Sequence, residues 1–420
     1  MNDAKNSQTA SRSVLGDREF RLFASGHGVS ALGDAVNQTA LPLLVLHLTR
    51  SGMQMGLVAM LQALPMLVLG FPAGVLVDRW DRRRIMLWCD VGRAILVACI
   101  PLSAWLGLDT LSVLYAIVVP LGILFVLFDA ASPACIPALV GRERLAEANA
   151  YLSLTTSVGY VAGPGLAGVL AASIGAAYTL GIDAVTFAIS TLSLVLIRRP
   201  LQLPRTAATS TMMAGIKEGF AFIYRHKALR ALLAYWALVG FVIAPIVVCV
   251  TFYITKDLGM SERALGSVVS LYAIGSVIGS LIGARIPPSF AGYAILGGIT
   301  IGGLALITLG NIDILWLALL IAFVAGGGDA IAIVFYITIR ASMTPDHLLG
   351  RVISIARVLT FGLQPLSLFL CGLLLDAVGG SVTLWLMGGM SLAISTVFWL
   401  IGDMRTILSS HTHDSDPAAS

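Results

Sequence analysis

What most constrains this chain is a recurrence: apolar stretches of roughly 20 or more residues, separated by polar breaks, run along nearly its whole length. Each is long enough to cross a hydrocarbon core of about 30 Å as a helix. Twelve are read, over 19–48, 54–77, 84–106, 110–138, 147–172, 176–197, 229–254, 262–286, 290–309, 313–339, 350–376 and 381–402. Strands of a membrane β-barrel would be shorter and would alternate polar with apolar residues, and these do not. The chain is 58% hydrophobic and 11% charged, a balance that no soluble domain can expose to water. The fold class expected is therefore an all-α integral membrane protein with 12 transmembrane helices.

Lys and Arg placement sets the expected orientation, because short basic loops are retained on the cytoplasmic side. With the N-terminus inside, the cytoplasmic segments collect most of the 26 basic residues, among them Arg79 to Arg84, the 198–230 group, Arg340 and Arg351, and the opposite side collects Arg50, Lys256 and Arg263. Both termini are expected in the cytoplasm of a cell with the protein in its inner membrane. The first span is too long for a signal peptide and lacks a small-residue cleavage site, so it is expected to stay in the mature protein. A net charge of +4 spread over membrane-flanking loops is a poor argument for nucleic acid.

The longest hydrophilic stretch, at 198–230, divides the spans six and six. The expected organisation is a tail over 1–18, a bundle over 19–197, a central loop over 198–228, a second bundle over 229–402 and a tail over 403–420. A duplication crosses the divide. Asp129 in FDAAS and Asp329 in GDAIA fall at an offset of 200 residues, and Pro164 and Pro365 at an offset of 201. Internal repeats of this kind mark transporters whose site lies between two halves.

The segment GVLVDRWDRRR at 74–84 resembles the loop between the second and third helices of the major facilitator superfamily. Gly74, Leu76, Asp78, Arg79, Arg82 and Arg83 match that pattern, and Asp81 stands where it has a second glycine. The resemblance implies two pseudo-symmetric six-helix bundles that rock in alternate access. It also implies a latch, in which Gly74 permits close helix contact, Asp78 caps a helix N-terminus and the arginines bind carboxylates, with Asp129 joining the network. The plainer reading is that four arginines in an inside loop only fix topology.

The fifth span, GYVAGPGLAGVL at 159–170, is similar to the Gly-Pro signature of antiporting branches of the superfamily. Gly159, Gly163 and Gly168 remove side chains where helices meet, and Pro164 breaks one backbone hydrogen bond; tight packing alone would ask for the same residues. Stretches at 129–150, 182–190, 216–233 and 344–354 resemble the branch of enterobactin-type siderophore exporters and macrolide-efflux proteins, and lysophospholipid flippases are similar too.

A charge inside a membrane costs on the order of 3 kcal/mol on insertion scales, so each needs a role. Asp90 and Arg93, at i and i+3, can pair with each other or with the Arg82 cluster and read as structural. Asp183 and Asp376 lie nearer the outer face, where either could be a solvated helix-end group, and Asp329 is expected to pair with Arg357. Asp34 lies past the midplane of its span. With His27, Ser30, Asn37 and Gln38 it forms one polar stripe, expected to face a central cavity where a carboxylate could exchange a proton. The alternative is an acid that only fixes helix packing.

The function expected is a secondary transporter, not an enzyme, and specifically a proton-coupled antiporter exporting a hydrophobic or amphipathic small molecule such as a drug, natural product or siderophore. Phe241 and Tyr272 are candidate cavity aromatics. A flippase or uptake carrier is the first rival, and a non-transporting receptor or scaffold the second. The five cysteines suggest neither a disulfide framework nor a zinc site, and there is no phosphate-binding loop for ATP. The partners expected are substrate, protons and membrane lipids, with no cofactor, no metal and a monomer as the working unit.

Overall fold

The computed structural model describes residues 13–70, 72–141, 143–202 and 212–400. The expected tails and the middle of the central loop thus lie wholly or partly outside the described residues. Fifteen α-helices follow one another: α1 Arg18–Thr49, α2 Gly52–Leu69, α3 Pro72–Arg79, α4 Arg82–Trp105, α5 Thr110–Val140, α6 Leu145–Ile174, α7 Ala176–Leu196, α8 Met212–Arg225, α9 Lys227–Ile243, α10 Ile246–Phe252, α11 Glu262–Gly283, α12 Ala291–Leu309, α13 Leu315–Ser342, α14 Asp346–Gly362 and α15 Gln364–Leu400.

Their ends follow from local chemistry. Asp81 accepts the Arg84 amide at 3.1 Å and starts α4, which gives the departure from the family pattern at that position a structural use as an N-cap. Asp109 starts α5 and Ser261 starts α11 in the same way. Gly141 and Gly175 stop α5 and α6 with φ of 75° and 89°, values costly for any residue with a Cβ.

Among the described residues, eleven helical stretches are long and apolar enough to cross a membrane, the last being Asp346–Leu400 at 55 residues. A straight helix of that length would be roughly 80 Å long, more than twice a bilayer core. Gly379, at φ 80° and ψ 172°, turns the chain inside it, so this stretch supplies the two last expected crossings. Three expected spans are each two helices: 54–77 is α2 and α3, 229–254 is mainly α9 and α10, and 350–376 is α14 and the start of α15. Pro72, Pro245 and Pro365 each stand at or just before the first turn of the second piece, where a missing N–H costs no helical bond. The loop expected over 198–228 contains the helix α8.

The chain forms two compact units, residues 1–41 with 68–206 and residues 42–67 with 207–420. Compactness therefore places residues 42–67 with the C-terminal half. In the first unit α1 lies between α6 and α7 with little but backbone separating them. A Cβ on Gly26 or Gly33 would fall 1.9 Å from Ser193 Oγ or 2.0 Å from Thr186 Oγ1 on α7, and one on Gly163 would fall 2.5 Å from the Ala35 Cβ. In lipid, where no hydrophobic force drives helices together, such bare approaches supply the packing contacts.

In the second unit α13 packs on both α11 and α12. A Cβ on Gly275 or Gly279 would meet the Phe323 or Gly327 carbonyl at 2.0 or 2.3 Å, and one on Gly298 the Gly328 carbonyl at 2.3 Å. Around this seam Leu229, Leu232 and Tyr235 of α9, Ile295 and Ile299 of α12 and Val352 of α14 are buried, and Trp236 stacks on Tyr336 at 4.1 Å.

Candidate functional site

The first unit holds a buried charge network built on α1, α4, α5 and α7. Arg93 of α4 is 3% exposed. Its guanidinium lies between two rings, 4.4 Å from the Phe128 centroid and 4.2 Å from that of Phe187. Such stacking suits a planar cation taken out of water. One turn earlier Asp90, wholly buried, accepts from Arg93 Nη2 at 2.5 Å and from Ser190 Oγ at 2.6 Å. Each Asp90 oxygen thus has a partner, the charge-assisted form in which a carboxylate survives burial, while Arg93 Nε makes no hydrogen bond among the described residues.

Asp34 meets this network at its loose end. Its Oδ1 is 3.8 Å from Arg93 Nη1, an ion pair longer than a hydrogen bond, and its side chain keeps 31% of its surface accessible. Asp129 on α5 lies within electrostatic reach of Asp34 and His27. Behind Asp34, the fully buried Asp183 accepts from Asn37 at 2.8 Å and from Thr186 Oγ1 at 3.1 Å. Of the two carboxylates that pair with Arg93, Asp34 is the more accessible and the less closely held.

The stripe expected on α1 does not act as one face. Positions 30 and 37 lie about 40–100° around the helix from 27, 34 and 38. Ser30 is buried, and Asn37 turns to Asp183. Asp34 turns to Arg93, while Gln38 is exposed and reaches the Tyr160 hydroxyl. Asp183 is likewise no solvated helix-end group but an interior acid. Arg93, Asp90, Asp183 and Thr186 are members that reading the sequence left out. The available signal was an i, i+3 Asp–Arg pair inside an apolar span, which is indistinguishable in sequence from a self-contained structural pair.

Asp329 in the second unit differs from the expectation. Among the described residues its hydrogen-bond partner is the Tyr272 hydroxyl, at 2.5 Å to Oδ2, where Arg357 was expected. The reason is the seam: Gly326 lets the Tyr272 backbone approach α13 closely, which brings the Tyr272 hydroxyl to the acid. Phe241 is half-buried, and its carbonyl accepts from Ser367 Oγ.

Of the proposed latch, Arg82 donates to the Ala134 carbonyl of α5 at 2.7 Å, and Arg83 to the Leu194 and Val195 carbonyls at 3.1 and 2.7 Å. For Arg83 the acceptors are thus carbonyls at the end of α7 instead of carboxylates, because those groups have no helical partner of their own. Gly74 is exposed, and a Cβ there would have nothing within 4 Å, so it makes no close helix contact. Arg79 is exposed at the end of α3, and the Asp78 side chain lies outside the described residues. Gly159 and Gly163 do bring α6 against the α1 backbone at Ala31 and Ala35, and Pro164 and Gly168 are buried beside them.

Comparison with known proteins agrees with this architecture. The family model described as Major Facilitator Superfamily matches residues 23–364. The chain is 30% identical over 391 residues to the multidrug efflux pump Tap of Mycolicibacterium fortuitum, covering 90% of this chain and 92% of that one. It is 27% identical over 341 residues to the enterobactin exporter EntS of Salmonella typhi, covering 79% and 80%. Among solved structures, a bacterial homologue of the human lysosomal transporter Spinster, inward-facing and unoccupied, superposes with a TM-score of 0.72 at 16% identity, over 96% of this chain and 98% of that one.

Proposed function

Because the chain belongs to the major facilitator superfamily and is thus a multi-pass membrane transporter of small molecules, we propose that it is a proton-coupled exporter of hydrophobic or amphipathic compounds, with Asp34 as the coupling acid. The observation that carries this is the asymmetry around Arg93: Asp90 holds it at 2.5 Å in full burial, while Asp34 sits at 3.8 Å with a third of its side chain accessible. Asp90 already balances the arginine. A second carboxylate beside that pair has no close partner of its own and is partly accessible, so it is the group placed to take up and give back a proton.

In the proposed cycle Asp34 binds a proton while its site is open to the outer side and releases it inward as substrate leaves by the opposite route. Deprotonated Asp34 draws on Arg93, and protonated Asp34 leaves Arg93 to Asp90. Asn37 and Asp183 hold α1 against α7 so that Asp34 keeps its place. One charge crossing about 150 mV supplies roughly 3.5 kcal/mol, enough for a concentration ratio of a few hundred. The substrates follow the efflux pump and the siderophore exporter that the chain is similar to. Phe241, Tyr272 and Asp329 supply substrate contacts, and the 74–84 loop with Asp129 latches one access state. The protein is placed in the inner membrane as a monomer with both termini in the cytoplasm, following the basic loops.

The test uses inverted vesicles energised by respiration, a pH-sensitive dye, and a panel of lipophilic drugs and catecholate siderophores. A compound that dissipates the proton gradient with wild type but not with Asp34→Asn supports coupled antiport through Asp34. Transport intact in the variant removes Asp34 from the cycle. No response to any compound with either protein leaves a lipid flippase as the better reading.

A further inference from the structure

The helix α8 has one face that its own unit does not cover. Gly219 and Ile223 are buried against α14, where a Cβ on Gly219 would fall 2.7 Å from Ile355 Cδ1, and Glu218 pairs with Arg351 of α14. These contacts fix the rotation of the helix. The opposite face presents Lys217, Phe220, Ala221, Tyr224 and Arg225, all exposed, with Phe220 at 47% and Tyr224 at 74%. Lys227 and Arg230 follow it, also exposed. Arg230 lies 5.3 Å from the Tyr224 ring centroid and donates to the Tyr224 carbonyl at 2.9 Å, so the end of the face is held in one arrangement. Lys217, Arg225 and Lys227 have no acidic partner among the described residues.

Two exposed aromatics at i and i+4 would be an odd choice for a surface bathed in water. Their depth explains them. A single residue, His226, separates α8 from α9, and α9 opens a stretch long and apolar enough to cross the membrane. Tyr224 therefore stands within one turn of the start of a crossing, at the level of the lipid headgroups, where tyrosine and phenylalanine rings partition and where basic residues meet lipid phosphates. Four cations and one committed acid over 217–230 give the face a sign as well as a depth.

We propose that this face is a docking surface for the anionic phospholipid headgroups of the protein's own bilayer, with Phe220 and Tyr224 seated at the acyl boundary and Lys217, Arg225, Lys227 and Arg230 on the phosphates. Through Ile223, Gly219 and the Glu218–Arg351 pair, the seated helix bears directly on α14, so lipid charge is linked to the position of that helix.

The test labels the full-length protein at Ala221→Cys with an environment-sensitive dye. The labelled protein is reconstituted into vesicles of phosphatidylcholine alone or with about a third phosphatidylglycerol, a composition that makes the surface anionic, each with and without doxyl-labelled lipid. The background is the same reaction on protein that lacks this cysteine. Blue-shifted emission and lipid quenching are expected in the anionic vesicles, at least about twofold stronger than in phosphatidylcholine, and weakened as salt is raised from 50 to 500 mM because screening shortens the reach of each charge. Lys217→Gln, Arg225→Gln and Lys227→Gln combined should remove the difference between the two lipids while leaving the melting temperature in detergent unchanged, since these side chains are exposed and pair with no acid among the described residues. Equal quenching in both lipids at all salt concentrations overturns the charged-lipid reading. Emission that stays water-like in both overturns the membrane reading altogether and points to a soluble partner.

Discussion

Asp376, on α15, closes the N-terminus of α2 by accepting the Gly52 amide at 2.6 Å. Its other oxygen accepts the Met53 amide at 2.9 Å and the Ser51 hydroxyl at 2.5 Å. A carboxylate from elsewhere in the chain thus does the work of an N-cap, against the positive end of the helix dipole. The approach is possible because Gly56 and Gly372 carry no side chains: a Cβ on Gly56 would fall 2.5 Å from the Leu368 carbonyl and 2.8 Å from the Gly372 Cα. Lys256 completes the corner by donating to the Arg50 carbonyl at 2.7 Å. Asp376→Asn exchanges one accepting oxygen for a donor and is expected to cost about 1–2 kcal/mol, seen as a lower melting temperature of the purified protein. Ser51→Ala should cost less, because both amide bonds survive. The reverse order would refute the capping account.

Arg93 and Asp90 should behave as one unit. Arg93→Ala leaves Asp90 charged and buried and is expected to destabilise by about 3–5 kcal/mol. The double change Arg93→Ala with Asp90→Ala should cost clearly less than the sum of the single changes. Additive losses in a thermal-shift cycle would mean that the two side chains act separately.

The glycines of the two motifs should part company. Gly163→Ala drives a methyl group against the Ala35 Cβ and the α1 backbone, an overpacking worth about 1–3 kcal/mol. Gly74→Ala meets nothing and sits in a helix, so it is expected to be neutral or to stabilise by up to about 1 kcal/mol. Melting temperatures of the two variants against wild type decide the matter.

Tyr272→Phe removes the hydroxyl that holds Asp329 and is expected to cost about 1–3 kcal/mol through the carboxyl left without its partner. Asp329→Asn combined with Tyr272→Phe should recover part of that loss. If Tyr272→Phe were silent, the hydrogen bond between them would have no energetic weight.

At the N-terminal edge of the first unit, Arg199 binds Asp17 at 2.8 Å. Burial alone would raise the Asp17 carboxyl, but the hydrogen bonds from Arg199 and from the Glu19 and Phe20 amides, with the Arg199 charge, hold it below its ordinary value. A group lowered in the folded state contributes stability that is present above its unfolded value near pH 4 and lost as pH falls through the folded one. The drop in melting temperature between pH 5 and pH 3 should therefore be smaller in Asp17→Asn than in wild type. An identical acid slope in both would show that the pair contributes nothing.

Length and apolarity made the crossings legible in the sequence, because a helix in lipid has to satisfy its own backbone and so writes its length into the chain. The interruptions at Leu363 and in front of Pro72 and Pro245 were less so, since Pro42, Pro65 and Pro164 sit inside continuous helices and a proline alone does not say which course the chain takes. Asp34 stood out as an isolated acid in an apolar span. Its partner did not, because which face of α4 meets α1 depends on three-dimensional packing that periodicity does not encode. The Asp329–Tyr272 contact was hidden for the same reason: it follows from how closely Gly326 lets two backbones approach, a property of a pair of helices and not of either one.

That seam also limits how the protein can diverge. Where Gly275 faces the Phe323 carbonyl and Gly279 the Gly327 carbonyl, the atoms in the way are main chain, common to every amino acid. A larger residue on α11 cannot be accommodated by a smaller one on α13, because there is nothing smaller to substitute. Lineages descended from this sequence should therefore hold these positions fixed through long drift while the lipid-facing residues on the same helices turn over freely, and compensatory pairs should be missing from the seam.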